Sequence, residues 1–229
     1  MNSKRRGIDY KDIILAVALL GSLWGLFEVA VDEGIRAAGV PFRAGILTGL
    51  GMLTMGAVFG LTRKPAALLL MPVVAIAMKQ MTVPLVGATV MCGANSCLAV
   101  GLQGFAAAGL GVALLGKKRI SLARGAATGA GAAVVSAVPF YFAGLKLAPC
   151  NYLLSFAGSG GLARFMVSEG LVWAAFSAVL FPVGMILAAR YGERFSSLVS
   201  ERPAILRGAL AGLTAACWAV ATLAILATA

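Results

Sequence analysis

The 229-residue chain has no histidine and only eight acidic residues. Charged residues of both signs make up 12% of it, roughly half the share of an ordinary soluble domain. Without imidazole, His-ligated haem, imidazole-based zinc sites and His-borne proton relays are excluded. There is no Walker A loop and no Rossmann glycine fingerprint, so any ATP hydrolysis linked to this chain must come from a partner. No polar stretch is long enough to fold separately, and residues 1–229 are read as a single integral membrane domain.

What fills the chain instead is apolar: 61% of its residues are hydrophobic. Uncharged runs at 44–62, 98–116, 125–145, 170–189 and 208–229 each suit a helix crossing about 30 Å of hydrocarbon, which takes about 20 residues. The basic N-terminus leads into another run at 13–27. Val29, Ala30, Val31 and then Asp32-Glu33 follow it, not the small residues of a signal-peptide cleavage site, so it is read as a retained first helix over about 12–31. Residues 66–97 are less regular. Lys79-Gln80 follows an apolar stretch there, and Pro72, Pro84 and Gly87 interrupt the pattern.

The net charge of +11 is a topology signal, since basic residues concentrate on the cytoplasmic side of multi-pass proteins. It points to a lipid bilayer as the partner, not to nucleic acid. One crossing after Arg63-Lys64 and another over 98–116 return Lys117-Lys118-Arg119 to the cytoplasm. A third crossing in that interval would place this cluster outside. Residues 83–97 are therefore expected to be an extracytoplasmic loop or re-entrant segment. The expected fold is an all-α polytopic membrane bundle of about six to seven transmembrane helices, with an irregular or re-entrant segment near 79–97. Its N-terminus is cytoplasmic, and 14 of the 19 basic residues lie inside. Gly21/Gly25, Gly45/Gly49, Gly56/Gly60 and Gly125/Gly129 supply small-residue pairs that let helix backbones approach closely.

Few polar groups accompany these helices, and they carry the functional reading. Glu28, Asp32 and Arg36 share one face of a continuing helix, either as an interfacial salt-bridge stripe or as the rim of an outward-facing pocket. Glu28 is the more informative, because an ionisable group in a span is costly and usually faces an interior or a cavity. Trp24, one turn earlier, either floors such a pocket or simply packs. Lys79 could snorkel to the interface, and Gln103 could hydrogen-bond to a neighbouring helix. Asn95 and Asn151 flank cysteines in outer segments. Trp24, Glu28, Lys79, Asn95, Gln103 and Asn151 are the candidate ligand contacts.

Of the four cysteines, Cys92, Cys97 and Cys150 fall on the expected outer side, and Cys217 sits within the last span as a packing residue. A Cys92–Cys97 disulfide would pin the loop. A relay with Cys150 is the redox alternative, although its spacing departs from Cys-x-x-Cys. Met78, Met81 and Met91 near the same loop leave open a soft-metal site such as Cu(I).

Ser22-Leu23-Trp24-Gly25 with Glu28, Pro41-Phe42-Arg43 and Leu47-Thr48 resemble uncharacterised bacterial membrane proteins related to the substrate-binding S components of energy-coupling factor transporters. The resemblance covers about residues 12–116. It implies a bacterial or archaeal cytoplasmic membrane and capture of a vitamin-like molecule or metal ion from outside. It also implies coupling to a transmembrane subunit with two ATPases. The chain departs from that pattern in its seventh helix, in offering only Ala18/Ser22 and Gly21/Gly25 in place of an Ala-x-x-x-Ala docking pair, and in lacking the N-terminal Met-His of nickel and cobalt members. With no hydrolase or ATPase motif, a non-enzymatic binding subunit is the expected function. The alternatives are a membrane thiol-disulfide oxidoreductase using Cys92, Cys97 and Cys150 with a quinone, and a non-catalytic subunit of a membrane complex.

Overall fold

In the computed structural model, residues 10–82, 93–116, 120–201 and 203–227 are described, and they form helices with short connections. The elements are α1 (Tyr10–Leu26), a π-helical turn π1 (Phe27–Val31), α2 (Asp32–Ala37), α3 (Arg43–Thr62), α4 (Ala67–Thr82), α5 (Ala94–Leu110), π2 (Gly111–Leu115) and α6 (Leu122–Leu147). After the short α7 (Asn151–Leu154) come α8 (Gly161–Phe165), π3 (Met166–Gly170), α9 (Leu171–Glu201) and α10 (Pro203–Leu226). Among the described residues, six stretches are long and apolar enough to span a membrane: Tyr10–Ala37, Arg43–Thr62, Ala94–Leu115, Leu122–Leu147, Gly161–Gly192 and Pro203–Leu226. The apolar helix Ala67–Met81 is shorter but buries Leu68, Met71 and Met78 completely. The chain is an all-α, multi-pass membrane protein.

The irregular interval is narrower than expected at both ends. Residues 79–82 finish α4 and 94–97 begin α5, while residues 83–92, with Pro84 and Gly87, lie outside the described residues. Pro72 does not break α4. Its ring packs on α5 where a Cβ on Gly104 would come within 2.3 Å of Pro72 Cγ, and neighbouring helices commonly make an intramembrane proline tolerable.

The bundle is organised around α9, which packs most extensively against α3 and then α6. In lipid, helix association relies on close van der Waals contact because hydrocarbon already solvates apolar side chains. Between α3 and α9 the backbones nearly touch at Gly56, where a Cβ would lie 2.0 Å from the Phe181 carbonyl oxygen. Gly184 meets the Leu53 carbonyl at the same 2.0 Å from the other side. Gly21/Gly25 lie on α4 and Gly125/Gly129 on α9 in a similar way, so all four small-residue pairs face a neighbouring helix.

Trp24, Met52, Met55, Phe59, Phe181 and Met185 form the centre of the main core. A second core, with Phe140, Tyr141, Phe165 and Trp173, lies under α7 and α8. The last helix, α10, is attached mainly to α1. Buried Asp12 pairs with Arg207 at 3.1 Å, and Trp218 Nε1 donates to Ser22 Oγ at 2.8 Å.

Candidate binding cavity

A cavity of about 840 Å³ opens at the end of the bundle where π1, π3 and the start of α5 come together. Pockets of about 300–1,000 Å³ with a few convergent polar groups are typical of small-molecule sites. Four of the chain's eight acidic residues line it: Glu28, Asp32, Glu33 and Glu169. Two basic residues, Arg43 and Lys79, line it as well. For a chain so poor in charge, this concentration is the main chemical feature of the fold.

Two of its four carboxylates come from π-helical turns, Glu28 from π1 and Glu169 from π3. A π turn inserts an extra residue into the helical repeat and is frequent at functional sites. The turn at 27–31 also breaks the regular spacing that would align Glu28, Asp32 and Arg36. These residues do not form a stripe among themselves. Glu28 pairs with Lys79, Asp32 with Arg43, and Arg36 with Glu33.

The Glu28 pairing joins three helical stretches. Lys79 Nζ lies 3.1 Å from Glu28 Oε2, 3.2 Å from the Glu28 carbonyl and 2.6 Å from Ser96 Oγ. Ser96 Oγ donates to the same carboxylate oxygen at 3.0 Å. Lys79 therefore does not snorkel. Its ammonium is enclosed by acceptors, as a charge inside a bundle must be.

Arg43 grips both oxygens of Asp32, with its second contact at 2.6 Å, in the bidentate geometry peculiar to guanidinium. Phe42, just before it, has φ 61°, a left-handed conformation uncommon for a bulky residue, and starts α3 at the cavity rim. Deeper in, Gln103 Nε2 donates to Thr48 Oγ1 at 2.9 Å across the α3–α5 contact. Both lie among the lining residues and are buried. Asn95 lines the cavity too, and its amide donates to the Ala148 carbonyl at 2.9 Å.

The remaining wall is aromatic and apolar. Phe140 and Trp173 line it with ring centres 5.4 Å apart, alongside Leu47, Val100 and Ala99. Trp173 is 3% exposed, and its Nε1 has no hydrogen-bond partner. Tyr152 also lines this side, as does Glu169. Burial, followed by the influence of the Glu169 carboxylate, pushes its phenol above the usual range. Tyr152 is thus neutral at ordinary pH.

Of the expected contacts, Glu28, Lys79, Asn95 and Gln103 meet in this cavity, whereas Trp24 and Asn151 are not among its lining residues. Trp24 is corrected to a core residue. It is fully buried, with its indole against Gly51, where a Cβ would lie 2.4 Å from Nε1. Asn151 begins α7 with its side chain exposed.

Glu169 was missed although its signal was available: an acid at the edge of the apolar run 170–189. Ser96 and Tyr152 gave no signal of their own, because hydroxyls are ordinary in loops and helix ends.

Cys92 lies outside the described residues, and Cys97, Cys150 and Cys217 are free thiols. Cys150 lines the cavity, but Cys97 is not among the lining residues and instead accepts a hydrogen bond from Gln80 Nε2 at 3.1 Å. Cys217 packs beside Val29, Met78 and Ala221.

Of the three methionines, Met78 is buried, Met81 is 64% exposed, and Met91 lies outside the described residues. No group of three or more His, Cys, Asp or Glu that could hold a metal occurs among the described residues.

No protein-family model, no curated protein and no solved structure matches the chain. The site and the fold define the class no further than a multi-pass helical membrane protein with a charged cavity at one end.

Proposed function

We propose that the chain is a substrate-binding membrane subunit that takes up a small molecule through this cavity, as the S components of energy-coupling factor transporters do. The observation that carries the reading is the cavity of about 840 Å³ with paired charges, amides and aromatic rings converging from separate helices. Burying ion pairs in a bundle costs desolvation that geometry must offset, and a purely structural bundle has little need of four carboxylates at one end. The positive-inside tendency supports an extracytoplasmic mouth. Arg63 and Lys64 follow the end of α3 remote from Arg43, which lines the cavity, and a cytoplasmic placement of these two basic residues would put the mouth outside. Without a nucleotide loop of its own, uptake would be driven by separate transmembrane and ATPase subunits. The thiol-oxidoreductase reading has less support, because only one of the described cysteines, Cys150, lines the cavity.

Native mass spectrometry of detergent-purified protein tests this by reporting retained small molecules and subunits together. Ala99, which lines the apolar wall, is the position to block. The expected result is a retained small molecule in the wild type that Ala99→Trp loses while staying folded and monodisperse. A wild type that retains nothing, and imports nothing in cells when co-expressed with its neighbouring subunits, would overturn the reading.

A further inference from the structure

We infer that the cavity is built for an organic cation, a molecule carrying a positively charged nitrogen on a flat or apolar body; this inference rests on the binding-subunit reading above. The argument is charge accounting at the cavity wall. Glu28 is matched by Lys79, Asp32 by Arg43 and Glu33 by Arg36. Glu169 has no cation in any ion pair among the described residues, and Tyr152, which lines the cavity with it, is neutral.

Neither lining cation is positioned to take an anion. Lys79 already contacts three acceptors, and Arg43 has its fork on Asp32. An anionic ligand would have to break a pair and then sit near an uncompensated carboxylate. A cationic one supplies the missing charge.

The surroundings of Glu169 fit the rest of such a molecule. Trp173 stands four residues further along the same continuous helix and lines the same cavity, with Phe140 packed beside it. Aromatic faces attract ammonium and guanidinium groups, more strongly where water is excluded. Leu47, Ala99 and Val100 provide an apolar bed for the body. A bare metal ion fits poorly, because Glu169 is one carboxylate where a hard cation needs several oxygen ligands.

The test uses the full-length protein in detergent and three probes that share a phenethyl body: phenethylammonium, 2-phenylethanol and 3-phenylpropionate. Binding is read by thermal shift and by intrinsic fluorescence. Phenethylammonium is expected to bind best. Glu169→Gln should weaken it about tenfold, the loss of one charge-assisted contact, without lowering the melting temperature of the unliganded protein. Glu169→Asp, which keeps the charge, should keep the preference for the cation. Equal or tighter binding of 3-phenylpropionate, or cation affinity unchanged in Glu169→Gln, would overturn the inference. If all three probes bind alike and Ala99→Trp abolishes them all, the cavity reading stands and the cation preference falls. Binding by none of the probes also overturns the cation preference, while the binding-subunit reading is judged separately by the retained mass.

Discussion

The two halves of α9 solve opposite problems with one continuous helix. Along its middle, against α3 and α6, backbones touch through glycines, and Gly56 and Gly184 each leave only 2.0 Å between a hypothetical Cβ and a facing carbonyl oxygen. Just before its start, π3 interrupts the α repeat, and a cavity lined with charge opens beside it. Dense packing needs regular α geometry and small residues. The cavity end gives up regularity and gains polar groups that would be costly anywhere else in the bilayer. The lesson is a division of labour, in which the seam holds the bundle so that the other end can stay open.

That comparison breaks most directly at the seam. Gly56→Leu puts side-chain atoms where the Phe181 backbone already lies, and the helices must separate. The expected cost exceeds the ~1–3 kcal/mol typical of overpacked cores, seen as loss of folded protein on fluorescence-detected size exclusion. Gly212→Ala, on the open face of α10 where a Cβ meets nothing within 4 Å, should be neutral or stabilising by up to about 1 kcal/mol. If both variants behave alike, the seam does not hold the bundle.

At the cavity end, a single substitution should cost less than Gly56→Leu but more than a surface change. Lys79→Met leaves Glu28, 6% exposed, without its cation. Removing one partner of a buried pair costs about 3–5 kcal/mol. Glu28→Gln combined with Lys79→Met should recover most of that loss in melting temperature, because no orphaned charge remains. A double variant no more stable than Lys79→Met would mean that the pair is not coupled.

How much of this could be read from the sequence differs between the two regions. The seam was partly legible: Gly45/Gly49 and Gly56/Gly60 at four-residue spacing do meet α9, although Gly208/Gly212 at the same spacing meet nothing within 4 Å, and apolar runs bounded by basic residues marked the crossings. The cavity end was only partly legible. Glu28, Lys79 and Gln103 stood out as polar groups within apolar stretches, yet their partners lie far along the chain: Lys79 is 51 residues from Glu28, and Gln103 is 55 from Thr48. The π turns were invisible, since nothing in Phe27–Val31 or Met166–Gly170 announces an extra residue per turn. Missing them turned Glu28, Asp32 and Arg36 into a stripe and hid Glu169. Trp24 misled for a related reason: one turn from Glu28, it is directed by α1 into the core on Gly51, beyond reach of the cavity.

A polar contact outside both regions should be worth least, and this sets the scale for the other two. Trp218 Nε1 donates to Ser22 Oγ where α10 rests on α1. Ser22→Ala removes the acceptor and strands an indole N–H. The protein already accommodates such groups, since Trp24 Nε1 and Trp173 Nε1 have no partner, and interhelical hydrogen bonds in membrane proteins average about 0.6 kcal/mol. The expected change is therefore a small drop in melting temperature, with ligand retention in native mass spectra unaltered. A loss as large as that of Lys79→Met would mean that α10 is clamped through this one contact. The polar groups of the cavity end would then owe their energetic weight to being polar in a membrane and not to the pairing of charge.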